Sequence, residues 1–252
     1  MSRTPFGFLP REVSRKLEKM SYELLYPSGT MLFGEGDPAR GVYAVASGRI
    51  KLSIGAGNGK TLILRLAEPG DVIGLPATLS GSTYEVSAHA IGPCRVSFVK
   101  RDAFLQFMAT HREVSLAVCE QLRKIYSSAC FEIRRIGLSH SAGEKLAKLL
   151  VEWPASNGER PDRIRFVFSH EEVGQMIGSS RETVSRAFAT LKKKGLAEVK
   201  GSVLHIHDRT ALQEIASGLD VLAIRPPDKH SSTPAQASKD ADPRDFFHPD
   251  GV

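Results

Sequence analysis

Cysteine is scarce in this chain: Cys94, Cys119 and Cys130 are the three among 252 residues, and no two lie close together. That excludes a disulfide framework and the usual thiolate metal-ligand spacings, and also an iron–sulfur cluster, which takes four thiolates. The expected role of the three thiols is that of small, reduced residues, buried or half-buried in the core. Long hydrophobic runs are missing too. No segment approaches the roughly 20 apolar residues that cross a bilayer. The stretch from Met1 to Pro10 lacks the sustained apolar core of a secretory signal, so the expected location is the cytoplasm, with no membrane partner. Paired carboxylates at a pocket, a nucleophile elbow, a phosphate-binding loop and a metal cluster are all absent as sequence patterns. An enzyme is therefore not expected, and no catalytic residue, cofactor or metal is called for.

What remains is an ordinary globular composition, 41% hydrophobic and 25% charged, long enough for two modest domains. The net charge of +6 and a pI near 9.3 suit a polyanionic partner. The distribution of charge says more than the total. Between Gly178 and Lys200, six basic side chains (Arg181, Arg186, Lys192, Lys193, Lys194 and Lys200) face two carboxylates, Glu182 and Glu198, leaving that stretch at +4. A solvated helix face carries such a run as well, so its meaning depends on the motif around it.

Along the chain, residues 9–19 have the pattern of a short amphipathic helix with Pro10 in its first turn. From Tyr22 to about Val99 the pattern is of short strands, clearest at Thr30–Phe33, Gly41–Ala46, Arg49–Ile54, Thr61–Leu66 and Cys94–Val99. Turns are expected at Gly34–Pro38, Ser47-Gly48, Gly57–Gly59 and Glu68–Asp71. Several short strands so punctuated argue for a β-sandwich or jelly roll. A long helical stretch follows, roughly Arg101 to Arg135. Val118, Leu122, Ile125, Ala129, Ile133 and Ile136 recur there at steps of three and four, an apolar seam suited to a second copy of the chain. The same pattern fits a helix that covers its own β-domain. Gly137 breaks the helix, and Ser139 or Ser141 would cap the next one, which reaches about Trp153 with Leu146, Leu149 and Leu150 on one face.

The stretch from Phe168 to Gly195 carries the chemistry. Ser169 and Glu172 have capping-box spacing and start a helix, with Val173, Met176 and Ile177 on its buried side. Gly178 permits a sharp turn. Ser179 and Glu182 repeat the spacing and start a second helix, which buries Val184, Phe188 and Leu191 and ends at Gly195. Its other face presents Arg181, Glu182, Ser185 and Arg186 near the N-terminus, the end that reaches base edges in a major groove. Arginine pairs with guanine O6 and N7, and a carboxylate accepts from cytosine N4. Ser179, Ser180 and Thr183, together with the amides of the helix start, are placed for phosphates. Lys192 and Lys193 extend that positive surface. Leu196–His207 alternates around Lys200-Gly201-Ser202 as a hairpin wing, with Lys200 and Ser202 near the DNA backbone. A helical hairpin with incidental arginines is the plainer alternative.

Taken together, these residues resemble the CRP/FNR family of bacterial transcription regulators from about Tyr22 to Ala216. Phe33 to Leu52 is similar to the family's opening strands and turn, Gly70–Gly74 to the start of its nucleotide cassette, and Ser179–Arg186 to its recognition helix. The resemblance implies an α+β chain with an N-terminal β jelly-roll sensor domain, a long dimerisation helix and a C-terminal winged helix-turn-helix. The division expected is an N-terminal arm with a short helix (1–20), the jelly roll (21–100), the helical region (101–137), the winged helix-turn-helix (138–212), a closing helix end (213–224) and a disordered tail (225–252), whose Pro-rich polar composition is too poor in apolar residues to fold. The resemblance further implies a homodimer on a palindromic promoter site with half-sites built on T-G-A, Arg181, Glu182 and Arg186 as base readers, and RNA polymerase as a further partner. Ser185 is similar to the FNR branch and Arg181 to the CRP branch.

The sensor departs from the cyclic-AMP pattern. Gly74 is followed by Leu75-Pro76 where a carboxylate for the ribose is expected, and Tyr84-Glu85-Val86 stands where the phosphate-binding arginine belongs. An anion beside an anion is unfavourable. Gly74, Leu75, Tyr84 and Glu85 mark the expected sensor pocket for an unidentified effector, and cyclic AMP is not expected to bind it. Oxygen sensing of the FNR type is not expected either, because no cysteine precedes Cys94. His89 and Cys94 are better explained as a surface histidine and a core thiol than as haem ligands. The expected function is that of a sequence-specific DNA-binding transcription regulator; the alternative is a small-molecule-binding regulatory module with weak or no specific DNA binding.

Overall fold

The protein is described from a computed structural model, over residues 5–153, 160 and 162–218. The expected tail at 225–252, and the end of the 213–224 segment, lie outside the described residues. In chain order the elements are α1 (Arg11–Lys19), β1 (Tyr22–Tyr26), β2 (Met31–Phe33), β3 (Gly41–Gly55), β4 (Thr61–Ala67), β5 (Val72–Ile73), α2 (Leu75–Ser80), β6 (Ser87–Lys100), α3 (Arg101–Thr110) and α4 (Arg112–Gly137). They continue with α5 (Ala142–Val151), β7 (Arg163–Arg165), α6 (His170–Ile177), α7 (Arg181–Lys193), β8 (Ala197–Lys200), β9 (Val203–Ile206) and α8 (Arg209–Ala216). The result is an N-terminal β sensor, a long helix and a C-terminal winged helix-turn-helix.

The sensor's sheet runs β1-β6-β3-β4, with β2 added to β6 and β5 to β3. Two strands expected at Gly41–Ala46 and Arg49–Ile54 are one, β3, and Ser47-Gly48 is not a turn. The register against β6 shifts on both sides of Ser47. Gly48 has φ +85°, and a Cβ there would sit 2.6 Å from both the Cys94 sulfur and the Pro93 carbonyl oxygen. Its glycine serves a bulge and a close cross-strand approach, which lets the strand bend without reversing. Strand β1 escapes sequence reading because it is an edge strand, mostly exposed, whose Tyr-Glu-Leu-Leu-Tyr lacks alternation. One core, around Phe33, Val45, Ile50, Ala88 and Val96, fills the barrel. Another packs Phe6, Leu17, Leu75, Val99, Phe104 and Val118 between the sheet and its flanking helices.

The helical stretch from Arg101 is two helices, broken at His111, whose backbone is extended (φ −131°, ψ 94°). No glycine or proline marks that break. The ring of His111 stacks on Phe107 with centroids 4.1 Å apart, and its Nδ1 lies 2.9 Å from the Thr110 hydroxyl. Of the alternatives for capping α5, Ser141 does so, accepting from the Glu144 amide at 3.1 Å. In the C-terminal part, Trp153, Phe166, Phe168 and Phe188 meet edge to face, with centroids 5.0–6.3 Å apart. Ile63, reaching out of sensor strand β4, is 1% exposed within this same core.

Candidate nucleic-acid interface and sensor cavity

Local sequence builds the helix-turn-helix. Ser169 and Glu172 form a complete capping box at the start of α6, and Gly178 ends the helix in the left-handed conformation (φ +62°). The second cap differs by one residue from expectation. Ser180, not Ser179, is the N-cap of α7, accepting from the Thr183 amide at 3.2 Å, with Glu182 one position short of a capping box. The turn itself consumes Ser179: its amide donates to the Gly174 carbonyl at 2.9 Å. Gly174 was not singled out by the sequence, yet a Cβ there would stand 2.6 Å from the Ser179 carbonyl oxygen. A mid-helix glycine normally weakens a helix; this one lets α6 and the turn touch.

Helix α7 buries Val184, Phe188 and Leu191 and leaves Arg181, Glu182 and Arg186 exposed together on its first two turns. The Glu182 carboxyl is held below its ordinary range by its own backbone amide and the Ser180 hydroxyl, with Arg181 and Arg186 adding to the effect. Ser185 is differently placed. Its hydroxyl donates to the Arg181 carbonyl at 3.0 Å and lies 2.7 Å from His170 Nδ1, so the imidazole donates to it in turn. His170 also stacks on Phe188. Ser185 is thus a clamp between α6 and α7 as well as a neighbour of Arg181, Glu182 and Arg186, and His170 is a positioning residue that sequence reading passed over.

The wing is the hairpin β8–β9 with Gly201 at φ +60° in its turn, and β7 joins its β9 side. The turn is tied back, the Phe166 amide donating to the Ser202 carbonyl at 2.8 Å. Lys192 and Lys200 are exposed but lean on Glu198, at 3.5 and 2.5 Å. Lys200, then His207 and Lys192, hold the Glu198 carboxyl down to about 2. Lys193, Thr183 and Ser180 complete the expected backbone-contact set, Lys193 and Ser180 exposed and Thr183 half-buried.

The sensor holds a cavity of about 650 Å³ between the barrel and α4. Of the four residues expected to mark a sensor pocket, Gly74, Tyr84 and Glu85 line it. Leu75 does not: it is 1% exposed and turns into the core with Val99 and Phe104, because α2 starts at that residue and aims it inward. Tyr84 stacks on Phe33 (centroids 4.0 Å apart), and its hydroxyl donates to the Gly41 carbonyl at 2.8 Å. Burial pushes the Tyr84 phenol above its ordinary range. Cys94 is buried, its sulfur donating to the Arg49 carbonyl at 3.0 Å, and burial pushes its thiol up. Cys130 is half-buried, but Cys119 is exposed on α4, against the expectation for all three thiols.

The expected α4 seam divides. Val118 is 2% exposed inside the sensor's own core, and Leu122 packs against it; neither faces outward. Ile125, Ala129, Ile133 and Ile136 line the cavity, and Ile133 is also 69% exposed. Periodicity identifies an apolar face but not what covers it. Two further contacts on α4 were not legible. Arg135, 4% exposed, pairs with Glu132 and donates to the Met176 carbonyl of α6 at 2.8 Å. Ile136 reaches within 3.4 Å of where a Cβ on Gly178 would lie, at the turn of the helix-turn-helix.

Residues 23–111 match the cyclic nucleotide-binding domain, and residues 144–215 match the Crp-like helix-turn-helix domain. The chain belongs to the CRP/FNR family. The transcriptional activator protein Anr of Pseudomonas aeruginosa is 29% identical over 199 residues, 75% of this chain and 78% of that protein. The CRP-like cAMP-activated global transcriptional regulator of Mycobacterium tuberculosis is 26% identical, over 78% of this chain and 88% of its own length. The structure of FixK2 from Bradyrhizobium japonicum superposes with a TM-score of 0.69 at 25% identity, covering 77% of this chain and 96% of FixK2. As a family member the protein is a DNA-binding transcription regulator with a cyclic nucleotide-binding-type sensor. Among the described residues no helix is long and apolar enough to cross a membrane.

Proposed function

We propose that the protein is a cytoplasmic homodimer that recognises a palindromic promoter site with T-G-A-centred half-sites and responds to an effector at the sensor, working with RNA polymerase rather than as an enzyme. The observation that carries the reading is the exposed trio Arg181, Glu182 and Arg186 on the first turns of α7, backed by a fully buried opposite face. Two such helices about one DNA turn apart, roughly 34 Å, enter successive major grooves. Arg181 and Arg186 read guanines and Glu182 a cytosine. Lys192, Lys193 and Lys200, with Ser180, Thr183 and Ser202, contact the backbone, and Ser179 supports the turn between α6 and α7. The pairing surface of α4 is its outward line Leu116, Cys119, Tyr126, Cys130 and Ile133, which recurs at steps of three, seven, four and three and is largely exposed in the single chain.

The sensor does not respond to cyclic AMP. Among the described residues lining its cavity Arg65 is the one cation, and Asp71 holds it at 3.3 Å. The reading is tested by fluorescence-anisotropy titration of ligand-free protein against a palindromic T-G-A-centred duplex, with a scrambled duplex as competitor, across a salt series. Specific binding that survives physiological salt is expected. Equal affinity for both duplexes, with and without hydrophobic ligands, would leave the protein as a small-molecule-binding module and refute specific recognition.

A further inference from the structure

We infer that the cavity between the barrel and α4 takes an uncharged, predominantly hydrocarbon or aromatic small molecule, and that its occupancy is passed to the helix-turn-helix through Ile136 and Arg135. This rests on the reading that the sensor controls DNA binding. Leu64 on the barrel side and Ile125 and Ala129 on the helix side are typical of the walls, which are otherwise almost wholly aliphatic and aromatic. Apart from the Ser128 hydroxyl, the polar groups among them are engaged: Arg65 by Asp71 at 3.3 Å, the Tyr84 hydroxyl by Gly41, and Glu132 by Arg135. Glu85, at the exposed rim, adds negative charge. A phosphate or carboxylate entering here would lose its water and meet no cation but Arg65, which is already paired with Asp71, whereas apolar surface is favoured. A volume near 650 Å³ is that of a site for a drug-sized molecule.

The walls also explain how filling would be felt. Ile136 lines the cavity and also lies next to the turn, 3.4 Å from where a Cβ on Gly178 would sit. Glu132 lines it too and is tied through Arg135 to the Met176 carbonyl of α6. An occupant that displaces either side chain therefore alters the seat of the helix that positions α7. A ligand shifts DNA affinity only by binding the two arrangements unequally.

The test uses Nile red, an uncharged fluorophore that brightens in apolar surroundings, titrated into the full-length protein. Saturable uptake of one dye per chain is expected, displaced by decanol, about tenfold less well by decanoate, which meets the carboxylates of Glu85 and Glu132, and not by cyclic AMP. Leu64→Trp and Ala129→Trp fill the cavity from opposite walls, and each should weaken dye uptake at least roughly tenfold by overpacking the site. Circular dichroism checks their folding. In wild type, saturating decanol should change the affinity for the palindromic duplex about threefold or more, and in the filled variants it should not. Absence of uptake, displacement by cyclic AMP, or uptake unchanged in both variants would overturn the apolar site. Uptake without any change in DNA affinity would overturn the transmission. Loss of sequence-specific DNA binding in ligand-free protein, with dye uptake intact, would instead count against the DNA reading alone.

Discussion

The two surfaces proposed to act in this chain are built on opposite principles. The α7 face gathers charge in the open: Arg181, Glu182 and Arg186 are exposed, and nearby Lys192 and Lys200 are exposed where they pair with Glu198. The sensor cavity gathers apolar surface in the interior and neutralises the charges it cannot avoid, through Arg65–Asp71 and Glu132–Arg135. A polyanion is met by long-range attraction and then by directional bonds to bases. A small apolar effector is met by exclusion of water, which has no direction and leaves no charge motif in the sequence.

Four changes sharpen or break this contrast. The largest effect belongs to the core that both regions share. Phe166→Ala should cost about 3–5 kcal/mol in a urea melt, because Phe166 is 2% exposed among Trp153, Phe168 and Phe188. A cost near zero would mean that this aromatic cluster does not hold the winged domain. Next, Arg186→Ala should lose about 1–3 kcal/mol on the palindrome and little on scrambled DNA, so that discrimination falls. An equal loss on both duplexes would remove Arg186 from base reading. Lys193→Ala, by contrast, should weaken all sequences alike and lower the salt slope by about one; a sequence-dependent loss would blur the distinction between reading and holding.

The smallest effect concerns pH. Glu198 has its carboxyl depressed from 4.5 to about 2 by Lys200, His207 and Lys192. Its contribution to stability is therefore complete above about pH 4.5 and disappears as pH falls through about 2. An acid titration of the melting temperature should show a shallow step in that window, missing in Glu198→Gln. The same substitution relieves Lys192 and Lys200 of their partner and should raise affinity for any DNA. If affinity falls instead, the lysines need Glu198 to hold them in place.

Much of the DNA-facing half was legible because its signals are local. The Ser169–Glu172 capping box, the left-handed Gly178 and the apolar stripe of α7 all lie within a few residues of what they determine. The errors there were equally local, such as the cap moving from Ser179 to Ser180. Gly174 was missed because its reason is a backbone oxygen five residues away across a turn. In the sensor, the strands between clear turns could be read, but the bulge at Ser47-Gly48 looked like a turn, since its cause is Cys94 on another strand. Of the residues expected to mark a sensor pocket, Gly74, Tyr84 and Glu85 line the cavity and Leu75 does not, its direction being set by the start of α2. Likewise the α4 pattern showed an apolar face, and only the packing of Val118 and Leu122 into the sensor core reveals how that face is divided.

The central claim is that two copies of α7 read a two-fold site, and the measurement that tests it most directly is a half-site spacing series. Inserting roughly five base pairs, half a turn of DNA, puts the half-sites on opposite faces of the duplex. The account predicts that anisotropy-measured affinity then drops to that of a duplex with one half-site, and recovers part of its strength when the original spacing is restored in a different flanking sequence. Affinity indifferent to the insertion would contradict it, and would mean that each chain binds DNA alone.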